Sequence, residues 1–313
     1  MAMAGDPLSP RLRTTLFGLE FANPVIAASG TFGYGVEMAP IVPLRKLGGF
    51  VVKGLSREPI RGNPPPRLWE TRGGMINSVG LQNVGVRAFV RDKLPLLRGC
   101  GTRVIANVFG YQQEDYAEVI RVLEDAEGVD AYELNVSCPN TKHGGMFFSS
   151  DPRLLAEVTA EAVRAARRPV IVKLSPNVAR IDEVARAAED SGAAAVSLVN
   201  TFLGLAIDAR TRRPRLGAGY GGVSGPAIKP LALRLVREAA LAVKIPVIGM
   251  GGILTGEDAA EFLIAGAGAV EVGTATMADP QAPLRIAAEL DEFLRGQNVQ
   301  RVSDVVGTLE WPS

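Results

Sequence analysis

The sequence contains little cysteine. Among its 313 residues only Cys100 and Cys138 carry a thiol. Two cysteines cannot form a framework of several disulfides, a four-thiolate zinc site or an iron–sulfur cluster by themselves. Such scarcity is typical of proteins from reducing compartments. We therefore expect a cytoplasmic protein, and we expect no metal site.

An excess of charge of either sign is also missing. Basic and acidic residues number 34 and 33, which leaves a net charge of +1. Nucleic acids and anionic membrane surfaces are bound by clustered basic residues in excess. Neither is expected as the main partner.

Long apolar runs are absent as well. The longest stretches without a charged residue, Phe21–Val36 and Ser191–Ile207, contain Asn, Ser, Thr and Gly. They fall short of the roughly 18 apolar residues of a transmembrane helix. The first residues, MAMAGDPLSPRLR, lack the apolar core of a signal peptide. We expect no membrane segment.

The rest of the chain alternates short apolar runs with amphipathic segments of helix length. Strands are predicted near Pro24–Ala28, Gly49–Lys53, Arg103–Val108, Ala131–Val136, Val170–Leu174, Ala195–Val199, Val247–Gly249 and Ala269–Val272. Helices are predicted near Val36–Leu47, Val84–Leu97, Glu114–Ala126, Pro152–Ala166, Ile181–Ser191, Pro226–Val243, Thr255–Ala265 and Pro280–Leu294. Eight such pairs predict an α/β fold, a (β/α)₈ TIM barrel forming a single domain over residues 1–313. A doubly wound sheet is the competing fold.

Two kinds of addition to the barrel are expected. Arg13–Phe21, with Gly18 in its middle, is predicted to form an N-terminal hairpin that closes the bottom of the barrel. The connections Gly54–Asn83 and Thr201–Gly225 are too long for simple βα loops. Loops of this length are usually functional, and both leave the C-terminal ends of strands, where barrel active sites are built.

Polar residues recur at the C-terminal ends of the predicted strands. A polar side chain on an apolar strand is costly unless it finds a partner. Because these strand ends meet at one rim, two lysines and three asparagines converging there imply a polar ligand. The residues are Ser29, Lys53, Asn107, Asn135, Lys173, Asn200 and Thr201.

Glycines follow the last two strands. Gly251-Gly252 follows strand seven and Gly273-Thr274 follows strand eight. Barrels often hold a phosphate in these two loops through backbone N–H groups. The glycines indicate a phosphate-bearing cofactor, although glycine also serves in tight βα turns.

Cys138 lies in a polar loop, Ser137–Asn140, and not in an apolar run. A thiol whose thiolate is favoured by local dipoles can act as a general base. His143, the only histidine, is an alternative base or a partner of Cys138. Cys100 is interpreted as a structural or surface thiol.

Several motifs together resemble dihydroorotate dehydrogenase, in register from about Leu16 to Leu294. They are Ala28–Gly35 (ASGTFGYG), Lys53-Gly54, Gly62–Arg67 (GNPPPR), Asn77–Asn83 (NSVGLQN), Asn135–Asn140 (NVSCPN) and Ser224–Pro230 (SGPAIKP). The cysteine in NVSCPN resembles the corresponding residue of the class 1 enzymes. The motifs ASGTFGYG and GLQN resemble those of class 1B, whose electron acceptor is NAD. Arg72 and Ser78 depart from the class 1B pattern, and Ser78 is shared with class 1A.

The resemblance implies that residues 1–313 form a single domain that binds one FMN. It also implies that the enzyme acts in pyrimidine biosynthesis. The cofactor contacts carried over are Ser29, Lys53, Gly54, Asn107, Asn135, Lys173, Val199, Gly225, Gly251, Gly252, Gly273 and Thr274. The substrate contacts are Lys53, Asn77, Ser78, Val79, Gly80, Leu81, Asn135, Asn200 and Thr201. Cys138 would remove the C5 proton of (S)-dihydroorotate while hydride passes from C6 to flavin N5. The segment Thr141–Ser150 would close over the site.

The resemblance to class 1B also implies a partner. The chain has no GxGxxG element opening a nucleotide-binding unit and too few cysteines for a cluster. An electron-transfer subunit with FAD and [2Fe–2S], in a heterotetramer, would pass electrons to NAD. The alternatives are a fumarate-using class 1A enzyme, a dihydrouridine synthase, an aldolase with Lys173 as Schiff base, and a non-catalytic barrel that serves as a binding module.

Overall fold

A closed parallel barrel forms the centre of the computed structural model, which describes residues 9–136, 149 and 151–312. The strands in chain order are β1 (Thr14–Leu16), β2 (Leu19–Phe21), β3 (Val25–Ala27), β4 (Gly49–Leu55), β5 (Leu68–Thr71), β6 (Gly74–Asn77), β7 (Arg103–Val108), β8 (Ala131–Asn135), β9 (Val170–Lys173), β10 (Ala195–Leu198), β11 (Phe202–Leu205), β12 (Ile207–Asp208), β13 (Arg213–Pro214), β14 (Tyr220–Ser224), β15 (Val247–Met250) and β16 (Ala269–Val272). The barrel order is β10-β15-β16-β3-β4-β7-β8-β9. The predicted (β/α)₈ barrel is confirmed. All eight predicted strands belong to it.

Helices pack outside the barrel. They are α1 (Val86–Ala88), α2 (Leu94–Leu97), α3 (Gln113–Glu124), α4 (Pro152–Ala165), α5 (Ile181–Asp190), α6 (Lys229–Ala242), α7 (Gly256–Ala265), α8 (Ala275–Ala278) and α9 (Ala282–Gly296), and a π-helical turn, Phe89–Lys93, joins α1 to α2. Local capping explains some starts. Before α7, Thr255 Oγ1 accepts from the Asp258 N–H at 3.1 Å, and Asp258 accepts from the Thr255 N–H at 2.9 Å. Among the described residues, no helix has both the length and the apolar composition needed to cross a bilayer.

The helix predicted over Val36–Leu47 is wrong. The segment forms turns and a short 3-10 helix, Leu44–Lys46. Pro40 and Pro43 explain the difference, because proline lacks the N–H of a helical hydrogen bond and its ring clashes with the preceding turn. The apolar spacing misled the prediction, since Val42 and Leu47 are buried in turns as they would be in a helix.

The N-terminal hairpin closes the lower end of the barrel, as predicted. Strands β1 and β2 pair antiparallel, with Gly18 in the connecting turn at φ +79°. Leu16 and Phe21 are buried against the apolar residues that begin the barrel strands, such as Ile26 and Ile171. The polar end of the barrel is therefore the opposite, C-terminal end.

The two long connections meet above that C-terminal end. Strands β5 and β6 come from the first connection and β11 and β14 from the second, and together they form an antiparallel sheet in the order β11-β14-β6-β5. Asn77 lies opposite Gly222 in its register. We call this sheet the roof. It covers the rim with residues from distant parts of the chain.

Candidate active site

A cleft of about 290 Å³ lies between the C-terminal rim of the barrel and the roof. Its size is near the lower end of the range for small-molecule sites. The structure brings nearly all predicted site residues to its wall: Ser29, Lys53, Gly54, Asn77, Val79, Gly80, Leu81, Asn107, Asn135, Lys173, Val199, Asn200, Thr201, Gly225, Gly251, Gly252, Gly273 and Thr274. Cys138, His143 and most of the predicted lid, Thr141–Ser150, lie outside the described residues.

Lys173 lies at the base of the cleft and is almost fully buried. Its Nζ atom is 3.3 Å from Glu133 Oε1 on β8, 3.4 Å from Glu271 Oε2 on β16 and 3.4 Å from Ser29 Oγ. Glu133 and Glu271 are also buried, with exposures of 0% and 1%. One buried cation therefore faces two buried carboxyl groups, which we call the buried triad.

The two carboxyl groups of the triad differ in their hydrogen bonds. Glu133 also accepts from Asn107 Nδ2 at 2.7 Å and from Ser197 Oγ at 2.8 Å. Glu271 Oε1 is buried and accepts no hydrogen bond from the described residues.

These surroundings move the three pKa values. Burial acts to raise the pKa of Glu133, but the charge of Lys173 and its hydrogen bonds hold that pKa below the usual value. Burial and the negative charge of Glu133 raise the pKa of Glu271 well above its usual value. Burial acts to lower the pKa of Lys173, but the two carboxyl groups hold it above the usual value. These surroundings favour the positively charged form of Lys173 beneath the cleft.

The glycine-rich edge of the cleft contains two kinds of glycine. Gly252 has φ +80°, and a Cβ there would lie 2.8 Å from Lys229 Cβ, so the protein itself requires glycine. Gly273 has no positive φ, and its nearest protein atom to a Cβ is 3.6 Å away on Ala28. The protein therefore has room for a Cβ atom at Gly273, so protein packing does not require glycine there.

Three amides, those of Asn77, Asn135 and Asn200, also line the cleft. Asn200 Nδ2 is 3.5 Å from Asn135 Oδ1, and Asn77 on the roof donates to the Gly222 carbonyl at 3.3 Å. Asparagine offers both donors and acceptors to a polar ligand. Lys53 adds a cation, and burial followed by the nearby charge of Arg67 lowers its pKa. This wall suits a small anion that carries amide groups.

The motif residues on either side of strands β5 and β6 hold one another in place. The Asn63 N–H donates to the Val79 carbonyl at 3.1 Å, and Arg67 Nη1 donates to Gln82 Oε1 at 2.6 Å. Leu81, which lines the cleft, has φ +58°, a conformation that costs a non-glycine residue about 1–2 kcal/mol. The resembling motifs GNPPPR and NSVGLQN thus pack as one unit.

Ser78 is the predicted contact that the structure does not bring to the cleft. Its side chain is fully buried, and its N–H donates to the Arg67 carbonyl at 2.8 Å. Side chains alternate in direction along an extended segment, so Asn77 and Val79 face the cleft while Ser78 faces the protein.

Glu133 and Glu271 were missed from the sequence. Each stands inside a strand with an apolar or aromatic residue on either side, in AYELN and AVEV. The available signal was a glutamate within each predicted barrel strand. A charged side chain in such a strand is buried only when it has a partner, so each glutamate indicated a buried ion pair.

The fold and the site define a class of protein. It is a (β/α)₈ barrel whose rim cleft combines a buried cation, a glycine-rich edge and a wall of amides, as expected of a cofactor-dependent enzyme.

Comparison with known proteins identifies the family. A family model described as dihydroorotate dehydrogenase matches residues 11–294. The chain is 68% identical over 304 residues to a Solibacter usitatus protein provisionally named dihydroorotate dehydrogenase A (fumarate), covering 97% of this chain and 100% of that protein. It is 52% identical over 301 residues to dihydroorotate dehydrogenase B (NAD(+)), catalytic subunit, of Geobacter sulfurreducens (96% and 99%), and 50% identical over 303 residues to that of Pelobacter propionicus (97% and 100%).

The chain belongs to the dihydroorotate dehydrogenase family. This confirms the resemblance predicted from the motifs and, with it, the enzyme class of a flavin-dependent oxidoreductase.

Proposed function

We propose that the chain oxidises (S)-dihydroorotate to orotate in pyrimidine biosynthesis, with one FMN bound in the rim cleft. The observation that carries the proposal is the meeting of a buried cation, Lys173, with a glycine-rich edge and three amides in one cleft. We further propose a single FMN-binding domain over residues 1–313 and a cytoplasmic location. Scarce cysteine supports the location.

The cleft fits a cofactor with a phosphate and a planar ring. Gly273 leaves open space that protein packing does not require, and backbone N–H groups at such turns suit a phosphate. Residues proposed for the phosphate and ribityl chain are Gly225, Gly251, Gly252, Gly273 and Thr274. Residues proposed near the ring are Ser29, Gly54, Asn107, Lys173 and Val199. When bound, FMN supplies the electron-accepting ring, and a lysine beside it favours the anionic reduced form.

The amide wall is proposed to hold the substrate. Asn77, Asn135 and Asn200 can each donate to and accept from the imide ring of dihydroorotate. Thr201 and the backbone of Val79–Leu81 complete the contacts, and Lys53 pairs with the carboxylate. The polarity of the cleft wall supports these roles.

Cys138 is proposed as the base that takes the C5 proton. The support is chemical. Near neutral pH a cysteine can be present as its thiolate and accept a proton, whereas a serine hydroxyl stays neutral and is a poor proton acceptor. In the sequence, Cys138 stands three positions after Asn135, the last residue of strand β8.

NAD, reached through a partner subunit with FAD and [2Fe–2S], is proposed as the final electron acceptor. Two relatives at 50% and 52% identity are named as catalytic subunits of the NAD(+) enzyme. With two cysteines, this chain cannot supply an iron–sulfur relay by itself. The second candidate acceptor is fumarate, because the relative at 68% identity carries that name.

One experiment tests the reaction and the acceptor. The purified chain should be yellow, and anaerobic dihydroorotate should bleach its flavin. Reoxidation by NAD only when a co-purified iron–sulfur flavoprotein is present supports the proposal. Reoxidation of the lone chain by fumarate supports the second candidate. A protein without flavin, or a flavin that dihydroorotate leaves oxidised, contradicts the proposed reaction.

A further inference from the structure

The buried triad contains more carboxyl groups than its single cation can neutralise. Glu133 and Glu271 both contact Lys173, and within the described part of the chain the charged groups that act most strongly on each carboxyl are the other two members of the triad. The only other ionisable side chain in the described cleft wall is that of Lys53. Two carboxylates in mutual contact away from water repel each other strongly, so one of the pair retains a proton.

The hydrogen-bond donors around each carboxyl group indicate which of the two retains the proton. Glu133 receives hydrogen bonds from Lys173, Asn107 and Ser197, three donors that favour its ionised form. Glu271 receives one, from Lys173, and its Oε1 atom receives none from the described residues. Leaving a buried carboxylate oxygen without a donor is costly, whereas a protonated carboxyl group can donate instead.

We propose that Glu271 is a neutral carboxylic acid that donates to Glu133, so that the buried triad carries no net charge. In this arrangement Glu271 is a positioning residue that adds no second negative charge beneath the flavin. The raised pKa of Glu271 and the lowered pKa of Glu133 agree with this assignment.

The consequence concerns the reduced cofactor, and this part rests on the proposed FMN site. An ionised Glu271, which lines the cleft, would add a negative charge beside an anionic reduced flavin and disfavour it. A neutral Glu271 adds none. Raising the pH until Glu271 ionises should therefore weaken the binding of reduced FMN relative to oxidised FMN.

Infrared spectroscopy of the FMN-loaded enzyme in D₂O tests the protonation. We expect a band of a protonated, buried carboxylic acid at pH 7 that disappears in Glu271→Gln. The band should persist in the control Glu261→Gln, whose side chain pairs with Lys229 near the surface. A wild-type enzyme without the band, or a band that survives in Glu271→Gln, overturns the proposal.

The ratio of the Kd values for reduced and oxidised FMN tests the effect on the flavin. Glu271→Gln replaces a neutral group by a neutral group, so the ratio at pH 7 should stay within about threefold of wild type. Glu133→Gln/Glu271→Gln leaves Lys173 without a counter-charge, and the ratio should fall at least tenfold in favour of reduced FMN. A tenfold fall in the single variant overturns the neutrality of Glu271. An unchanged ratio in the double variant overturns the link to the flavin.

Failure of this inference is distinguishable from failure of the proposed function. A protein that binds no FMN contradicts the function. The same infrared comparison on the flavin-free protein still decides the protonation of Glu271.

Discussion

The Nζ atom of Lys173 lies 3.4 Å from Ser29 Oγ, although 144 positions separate the two residues. Lys173 ends strand β9 and Ser29 follows strand β3, and these strands are four places apart in the eight-stranded barrel. The lysine side chain therefore crosses the barrel axis beneath the cleft. The cation is thus held by both walls of the barrel and is almost fully shielded from water.

Lys173→Met should weaken both flavin binding and folding. The variant removes the cation beside the flavin and leaves Glu133 buried without its ion pair, a loss of about 3–5 kcal/mol in the free energy of unfolding. FMN titration and urea unfolding measure the two effects. Lys173→Met/Glu133→Gln should recover much of the stability but not the FMN affinity. Wild-type flavin content and potential in Lys173→Met would count against its assignment.

Cys138→Ser should remain yellow but lose most turnover at neutral pH. A serine hydroxyl is the poorer base, and loss of general base catalysis typically costs about 10²–10⁴-fold in rate. Stopped-flow bleaching of the flavin by dihydroorotate measures the step directly. Cys100→Ser, which changes the chain's other thiol, should bleach at the wild-type rate. Undiminished turnover of Cys138→Ser at pH 7 would eliminate Cys138 as the base.

Gly273→Ala should weaken FMN binding without affecting stability, whereas Gly252→Ala should destabilise the protein itself. At Gly273 the protein leaves room for a Cβ, so Tm without FMN should change little while FMN affinity falls at least tenfold. At Gly252 the backbone has φ +80° and Lys229 is close, so the protein itself should lose about 1 kcal/mol or more. Thermal unfolding of the flavin-free proteins and FMN titration provide the comparison. Equal FMN affinity in Gly273→Ala and wild type would contradict the proposed phosphate edge.

The KM for dihydroorotate should rise with increasing pH, and the rise should occur at a lower pH than the loss of charge from an ordinary lysine would produce. Burial, then the charge of Arg67, lowers the pKa of Lys53, so its positive charge is lost as pH rises through a value below the usual one of about 10.4. Lys53→Met should raise KM about tenfold to a hundredfold at neutral pH and abolish the alkaline step, because it lacks the charge at every pH.

Arg67→Gln supplies the control for the Lys53 prediction. Removing the neighbouring positive charge should move the alkaline rise in KM to higher pH. An alkaline step that is unchanged in Lys53→Met would show that another group pairs with the substrate carboxylate.

Much of the barrel was predictable from local pattern. Strands such as Val170–Lys173 are short, apolar and β-branched, and parallel strands covered on both faces require this composition. The error at Val36–Leu47 arose because apolar spacing was given more weight than Pro40 and Pro43. The resemblance named the segment Asn77–Leu81 as a whole, and only the structure shows that Ser78 is buried away from the cleft while Asn77 and Val79 line it.

The sequence by itself determined the barrel and the set of residues at its rim, because strand composition and the parallel arrangement send every strand end to one side. Only the tertiary structure decided that Lys173 meets Glu133 and Glu271, which are 40 and 98 positions away. The protonation of such groups depends on burial, on donors and on neighbouring charges. Those quantities exist only after the barrel has closed.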